Sequence, residues 1–160
     1  MALDHLPDLI DPKNLQQSDS RLMPVAGQKA DAFIGQPFYP LDSAPDPTAK
    51  RLTQLLYGEP VKVLGEQDGW SQVLCLMDAY VGWLPKQVLF EMPFQATHRV
   101  LMPLTHTYLE PDIKSRSVIA LPMNALVALT GEASDDGKFA RMSNGRWALA
   151  GHLALSLIHI

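Results

Sequence analysis

Val61-Lys62-Val63-Leu64, Gly65-Glu66-Gln67-Asp68-Gly69, Trp70-Ser71-Gln72-Val73-Leu74-Cys75-Leu76, Met77-Asp78-Ala79 and Tyr80-Val81-Gly82-Trp83-Leu84-Pro85 follow one another without interruption. The longer pieces mix β-branched and aromatic residues with alternating polar ones, and the short pieces between them carry turn residues. That texture predicts antiparallel strands joined by a hairpin at 65–69 and a second turn at 77–79. Working outward, Lys86-Gln87-Val88-Leu89 reads as a single closing turn. Upstream, Gln36-Pro37-Phe38-Tyr39-Pro40-Leu41 reads as a first strand, with a turn-rich loop from Asp42 to Thr48 holding Pro45 and Pro47. Short strands at regular spacing indicate a small all-β barrel.

The pattern then returns. A shift of 66 positions pairs Pro45-Asp46 with Pro111-Asp112, Leu55 with Leu121, Val61 with Val127, and Gly65-Glu66 with Gly131-Glu132. It also pairs Gly58 with Asn124, the two residue types most at ease with positive φ, as a shared tight turn demands. Beyond this block the register drifts in loops. Trp70 corresponds to Phe139 across a turn lengthened by Ala133 to Gly137, while Trp83 and Leu89 match Trp147 and Leu153 at a shift of 64. The chain therefore reads as an internal repeat of one small barrel, with Phe90 to Ala96 as the linker.

Composition limits the partners. The 160 residues are 47% hydrophobic and 19% charged, enough for a core and too apolar for global disorder. A formal net charge of −4 argues against a nucleic-acid or anionic-membrane partner, since such binding needs a basic face. No apolar run is long enough to span a bilayer. The start, Met1-Ala2-Leu3-Asp4-His5, lacks the basic n-region and apolar core of a secretory signal, so the expected location is the cytoplasm. Asp4 to Ser20 is polar and punctuated by proline, and residues 22–34 are only weakly periodic, so 1–34 reads as an irregular arm.

Candidate chemistry is sparse. Cys75 is the one thiol, but it lies inside the apolar run Val73 to Leu76, and His5, His98, His106, His152 and His159 are scattered. A small buried hydrophobe describes Cys75 better than a nucleophile, which needs an electropositive, accessible seat. No cysteine pair and no i, i+4 histidines suggest a metal site, and Asp135-Asp136 reads as a solvated hairpin tip rather than a calcium loop. No phosphate loop or nucleophile elbow is present. No catalytic residue, metal or cofactor is implied. Trp70, Tyr80 and Trp83 suit either a stacking platform or, for the two tryptophans, the barrel's core and wall. Tyr80 falls near a loop rim, and Glu59, between Gly58 and Pro60, is fixed at the start of a strand.

The series Leu56-Tyr57-Gly58-Glu59-Pro60-Val61-x-Val63-Leu64, Asp68-Gly69-Trp70 and Asp78-x-Tyr80-Val81-Gly82-Trp83-Leu84-Pro85 resembles the first bacterial SH3-like domain of NlpC-type cysteine peptidases. Thr97-His98-Arg99-Val100, Glu110 to Ser115, Gly137 to Ala140 and Gly151-His152-Leu153 resemble the second such domain. The resemblance implies an all-β pair of SH3-like barrels, at 35–92 and 97–154. It also implies a role in γ-D-glutamyl-L-diamino-acid endopeptidases that trim or recycle cell-wall peptides. Their catalytic domain, with an Asp-Cys-Ser-Gly nucleophile motif, follows the second barrel, and no such motif occurs here. This chain is then expected to be no enzyme by itself, and to be cut before its peptidase domain. By the same resemblance Glu59 would hold the ammonium of a murein-derived peptide with a free N-terminal L-Ala, Tyr80 would line its pocket, and Asp78 is a weaker third candidate. A stand-alone peptide- or murein-binding module is the alternative. Residues 155–160, Leu-Ser-Leu-Ile-His-Ile, match one translation of a common sequencing-adapter end and read as a non-native tail, with a last β-strand as the other reading.

Overall fold

The computed structural model describes residues 29–91 and 94–156. Most of the arm, with Val25 and Ala26, and the tail from 157 onward lie outside the described residues. The rest is all-β, in two compact units. The first comprises the described residues to Leu55 with Glu59–Glu91. The second comprises Leu56–Gly58 and the described residues beyond 93.

The first unit is one curled seven-stranded sheet. Its strands are β1 (Ala32–Ile34), β2 (Phe38–Asp42), β3 (Arg51–Leu56), β4 (Pro60–Gln67), β5 (Trp70–Cys75), β6 (Val81–Pro85) and β7 (Leu89–Phe90). They lie in the order β3-β2-β6-β5-β4-β1-β7, and Lys86–Val88 forms a 3-10 turn before β7. Ile34, Leu41, Leu55, Val61, Val73 and Leu84 are fully buried and form the core with Cys75 and Val88.

Three features differ from the sequence expectations. The irregular reading of 1–34 gives way at β1, whose Ala32 and Phe33 pair with Val61 and Pro60. Three residues are too few to show a period, so this strand exists only through its partners. The hairpin turn is Asp68-Gly69 alone, with φ of 52° and 85°. Positive φ at both central residues suits a two-residue hairpin, whose twist matches the strands it joins. Gly65 therefore lies inside β4, where the pairing with β5 shifts register between Val63 and Gly65. Last, Trp70 and Trp83 do not enter the core. Burial alternates along β5 so that Ser71, Val73 and Cys75 point inward and Trp70 outward. Trp83, opposite Gln72, shares that outer face and is half-buried.

The second unit repeats the order with β8 (His98–Val100), β9 (Leu104–Tyr108), β10 (Ser117–Pro122), β11 (Leu126–Val127), β12 (Leu129–Ala133), β13 (Phe139–Met142), β14 (Trp147–Leu149) and β15 (Leu153–Leu155). Ala128 divides what is a single β4 in the first unit, giving a five-stranded sheet, β10-β9-β14-β13-β12, and a three-stranded one, β11-β8-β15. Val100, Leu121, Ala125, Val127, Met142 and Ala148 are its core. Leu155 pairs with His98, and the Ser156 amide donates to the Thr97 carbonyl at 2.9 Å, so the first two residues of the suspected tail belong to a strand edge.

The shift of 66 holds bond by bond. Asp46 Oδ1 accepts the Thr48 amide at 2.9 Å, and Asp112 Oδ1 accepts the Lys114 amide at 2.8 Å. The Ser43 amide donates to Lys50 as the Leu109 amide does to Arg116, at 2.8 and 3.0 Å. Gly58 and Asn124 both have positive φ, 83° and 72°. The 3-10 turn Ala150–His152 repeats Lys86–Val88 at a shift of 64.

Candidate functional site

The three candidate residues of the first unit come to one end of its sheet. β4 starts beside the place where β5 ends, because Val61 pairs with Cys75 and the Leu76 amide donates to the Pro60 carbonyl at 3.1 Å. Glu59, one residue before β4, therefore stands next to the β5–β6 turn. That turn is closed by the Ala79 amide on the Cys75 carbonyl and by the Cys75 amide on the Tyr80 carbonyl, both 2.8 Å. Ala79 adopts φ of 62° there and is fully buried. A positive φ disfavours a Cβ-bearing residue, so the surrounding packing fixes this turn.

Glu59 is 9% exposed, and its carbonyl accepts the Ile34 amide at 3.1 Å. Asp78 is half-buried, and its Oδ1 accepts the Tyr80 amide at 3.4 Å, which draws the side chain back over its own turn. Tyr80 is half-buried and packs on the core formed by Ala32, Ile34, Leu41 and Leu55. Trp70 and Trp83, on the outer face of β5 and β6, stand apart from it, so the three aromatics do not make one platform.

Cys75 lies at the same end, 1% exposed. Burial pushes its thiol well above the ordinary value, and the charges of Asp78 and then Glu59 push it further. Both carboxylates thus raise the same thiol. A thiol so placed is the opposite of an activated nucleophile, whose pKa must fall. Among the described residues, no three His, Cys, Asp or Glu side chains converge as a metal ion would require.

The second unit lacks this arrangement. Glu59 is matched by buried Ala125. The second hairpin ends in a shorter turn, closed by the Gly145 amide on the Met142 carbonyl at 2.9 Å, three residues back where Ala79 reaches four. Only the side-chain cap recurs, Asn144 Oδ1 accepting the Arg146 amide at 2.9 Å, so this end presents two acids and a tyrosine in the first unit, and an amide and a guanidinium in the second. In the longer turn of the second unit, Asp136 accepts the Ser134 hydroxyl at 2.6 Å and the Lys138 amide at 3.0 Å, which hold it below the usual carboxylate range.

Sequence reading missed Asp42, which it left in a loop. Asp42 closes β2 opposite Trp83 and is 9% exposed. Burial raises its carboxyl above the usual value, partly offset by Arg51.

Residues 41–89 match the protein family described as the bacterial dipeptidyl-peptidase Sh3 domain. That segment is thus similar to bacterial SH3-like domains. Among solved structures, an NlpC/P60 family protein from Bacillus cereus aligns with a TM-score of 0.62 at 20% identity, over 78% of this chain and 56% of its own. NlpC2 and NlpC1 from Trichomonas vaginalis align at a TM-score of 0.33 each, with 16% and 18% identity, over 82% of this chain and 50% and 48% of theirs. The Bacillus cereus likeness extends the fold assignment through most of the chain. The chain spans little more than half the length of that protein, and no curated protein matches it.

Proposed function

We propose that this chain is the recognition part of a bacterial cell-wall peptide endopeptidase of the NlpC type, acting in the cytoplasm beside a catalytic cysteine-peptidase domain outside these residues. The observation that carries the reading is the asymmetry of the two units. Both units cap the end of this hairpin with a side-chain oxygen on the backbone, but only the first has Glu59, Asp78 and Tyr80 at that end. Two carboxylates beside a tyrosine ring suit a compact cation, and a free α-ammonium is the cation that a peptide-trimming enzyme must select. The family matched by residues 41–89, described as a dipeptidyl-peptidase Sh3 domain, and the Bacillus cereus NlpC/P60 fold likeness support a peptidase context.

In this reading Glu59 takes the ammonium of an N-terminal L-Ala, Tyr80 walls the small side chain, and Asp78 adds negative potential. Titration of L-Ala-γ-D-Glu-diaminopimelate against the chain tests it. A charge-assisted bond contributes about 1.5–3 kcal/mol when desolvated, so N-acetylation or Glu59→Gln is expected to weaken binding by at least about tenfold. Equal affinity for the acetylated peptide would remove the amine-binding role. Binding to intact murein with no preference for a free amine would favour a stand-alone wall-binding module.

A further inference from the structure

The outer face of the first unit's sheet carries a carboxylate without a partner among the described residues. Leu41 and Leu84 point into the core, so Asp42 and Trp83, each next to one of them in sequence, point outward. The two lie directly opposite each other on β2 and β6, which sets their side chains side by side. Gln72 on β5 pairs with Trp83 from the other side. Asp42 is 9% exposed, yet among the described residues no hydrogen bond or ion pair reaches its carboxylate. The charge of Arg51, on β3, acts on it only from beyond ion-pair distance. An acid placed in this way lowers stability until a cation meets it.

The second unit shows what meets the matching ring. Trp147 pairs with Arg141 on one side and Tyr108 on the other, as Trp83 pairs with Gln72 and Asp42. The Arg141 guanidinium lies over the Trp147 ring, 5.8 Å from its centroid, and its Nη1 is 2.8 Å from Glu132 Oε2. That distance lies within the range of cation–π attraction, so acid, cation and ring all come from one chain. In the first unit Glu66, the match of Glu132, is taken by Lys86 at 3.2 Å, and the place of the cation falls to neutral Gln72. The ring remains, and Asp42 adds an acid on its other side. Only the cation is lacking.

We propose that Asp42 and Trp83 form a binding site for a cationic side chain of a partner polypeptide, an arginine before a lysine. A guanidinium is planar, stacks on an indole face and offers paired N–H donors to one carboxylate, so it meets both groups at once. An ammonium is a compact, strongly hydrated charge and stacks less well. Pro85, opposite Trp70, continues the same face two residues on, an apolar surface for the residue beside the arginine. The site shares no residue with the Glu59 end of the first unit, and it stands whether or not that end takes an ammonium.

The test is a titration of the isotope-labelled full chain with acetyl-Arg-Leu-amide, followed through the Trp83 indole and Asp42 backbone N–H signals. Saturating shifts are expected at both. The citrulline peptide, neutral and nearly the same in shape, is expected to bind at least about fivefold more weakly, since it loses the charge-assisted bond and the cation–π attraction. Asp42→Asn removes an unpaired charge and should fold as well as the parent, so its expected loss of at least about fivefold in affinity reports on the site alone. Gln72→Arg sets a guanidinium beside Trp83 as Arg141 stands beside Trp147. It is expected to move the indole signal of the free protein and to weaken peptide binding by at least about fivefold. No saturating shift up to about 5 mM peptide overturns the proposal, as do shifts confined to other surfaces. Equal affinity for the citrulline peptide overturns the role of the cation, and unchanged affinity in Asp42→Asn or Gln72→Arg overturns the site.

Discussion

The Val63 amide donates to the carboxylate of Asp31 at 2.9 Å. This bond continues the β1–β4 ladder by one rung after the β1 backbone has left it, and Thr97 does the same for Leu129 in the second unit. Neither residue stands out in the sequence, and their equivalence at a shift of 66 appears only through the bonds they make.

Asp31→Ala leaves the Val63 amide without its acceptor. A loss of about 1 kcal/mol of unfolding free energy is expected, and Asp31→Asn, which keeps an acceptor oxygen, should lose less. The Asp31 pair with Lys62, at 3.6 Å and exposed, should contribute little. Chemical denaturation of the three proteins checks the order.

Gly82 lies where β6 meets β2. A Cβ there would come within 2.7 Å of both the Asp42 carbonyl oxygen and Leu41 Cγ. Gly82→Ala is expected to cost about 1–3 kcal/mol, as overpacking does. Gly65→Ala is the control: a Cβ meets nothing within 4 Å, so its melting temperature should stay close to that of the parent.

Cys75 should resist thiol reagents in the folded protein and react once the chain unfolds. Its folded pKa is raised, so above about pH 8.5 the unfolded chain gives up a proton that the folded chain keeps. Stability therefore falls as pH rises past that point, by at most about 1.4 kcal/mol per pH unit from this group. Cys75→Ala should flatten the slope, which denaturation at several alkaline pH values would show.

Asp42 follows the same sign at the acid end. Its folded pKa is raised chiefly by burial, so ionisation costs stability as pH climbs through the ordinary carboxylate range. Asp42→Asn is expected to equal or exceed the parent in melting temperature at pH 7. The difference should shrink below about pH 4, where both side chains are neutral.

Much of the fold was legible locally. Trp70 to Leu76 and Tyr80 to Pro85 alternate clearly enough to be strands, Lys86-Gln87-Val88 was visible as a closing turn, and the paired Pro-Asp turns and Gly58/Asn124 marked the repeat. β1 was not legible, because three residues reveal no period and its stability comes from β4 and β7. Whether Trp70 and Trp83 belong to the core, the wall or a platform was not legible, because residue size suggests burial but the pleat decides the face. At the candidate site, Glu59, Asp78 and Tyr80 were visible as residues, whereas their gathering about a buried thiol depends on the pairing of Val61 with Cys75.

The sequence by itself determined that the chain is all-β and that it is built twice on nearly one register. These are local matters of alternation, turn chemistry and spacing, which any stretch of chain carries with it. Only the tertiary structure decided where each ladder stops, which residues close it, and that Lys86 reaches Glu66 while Glu132 turns to Arg141. Those facts depend on residues well apart in the sequence meeting through strand pairing, and no local preference encodes such a meeting.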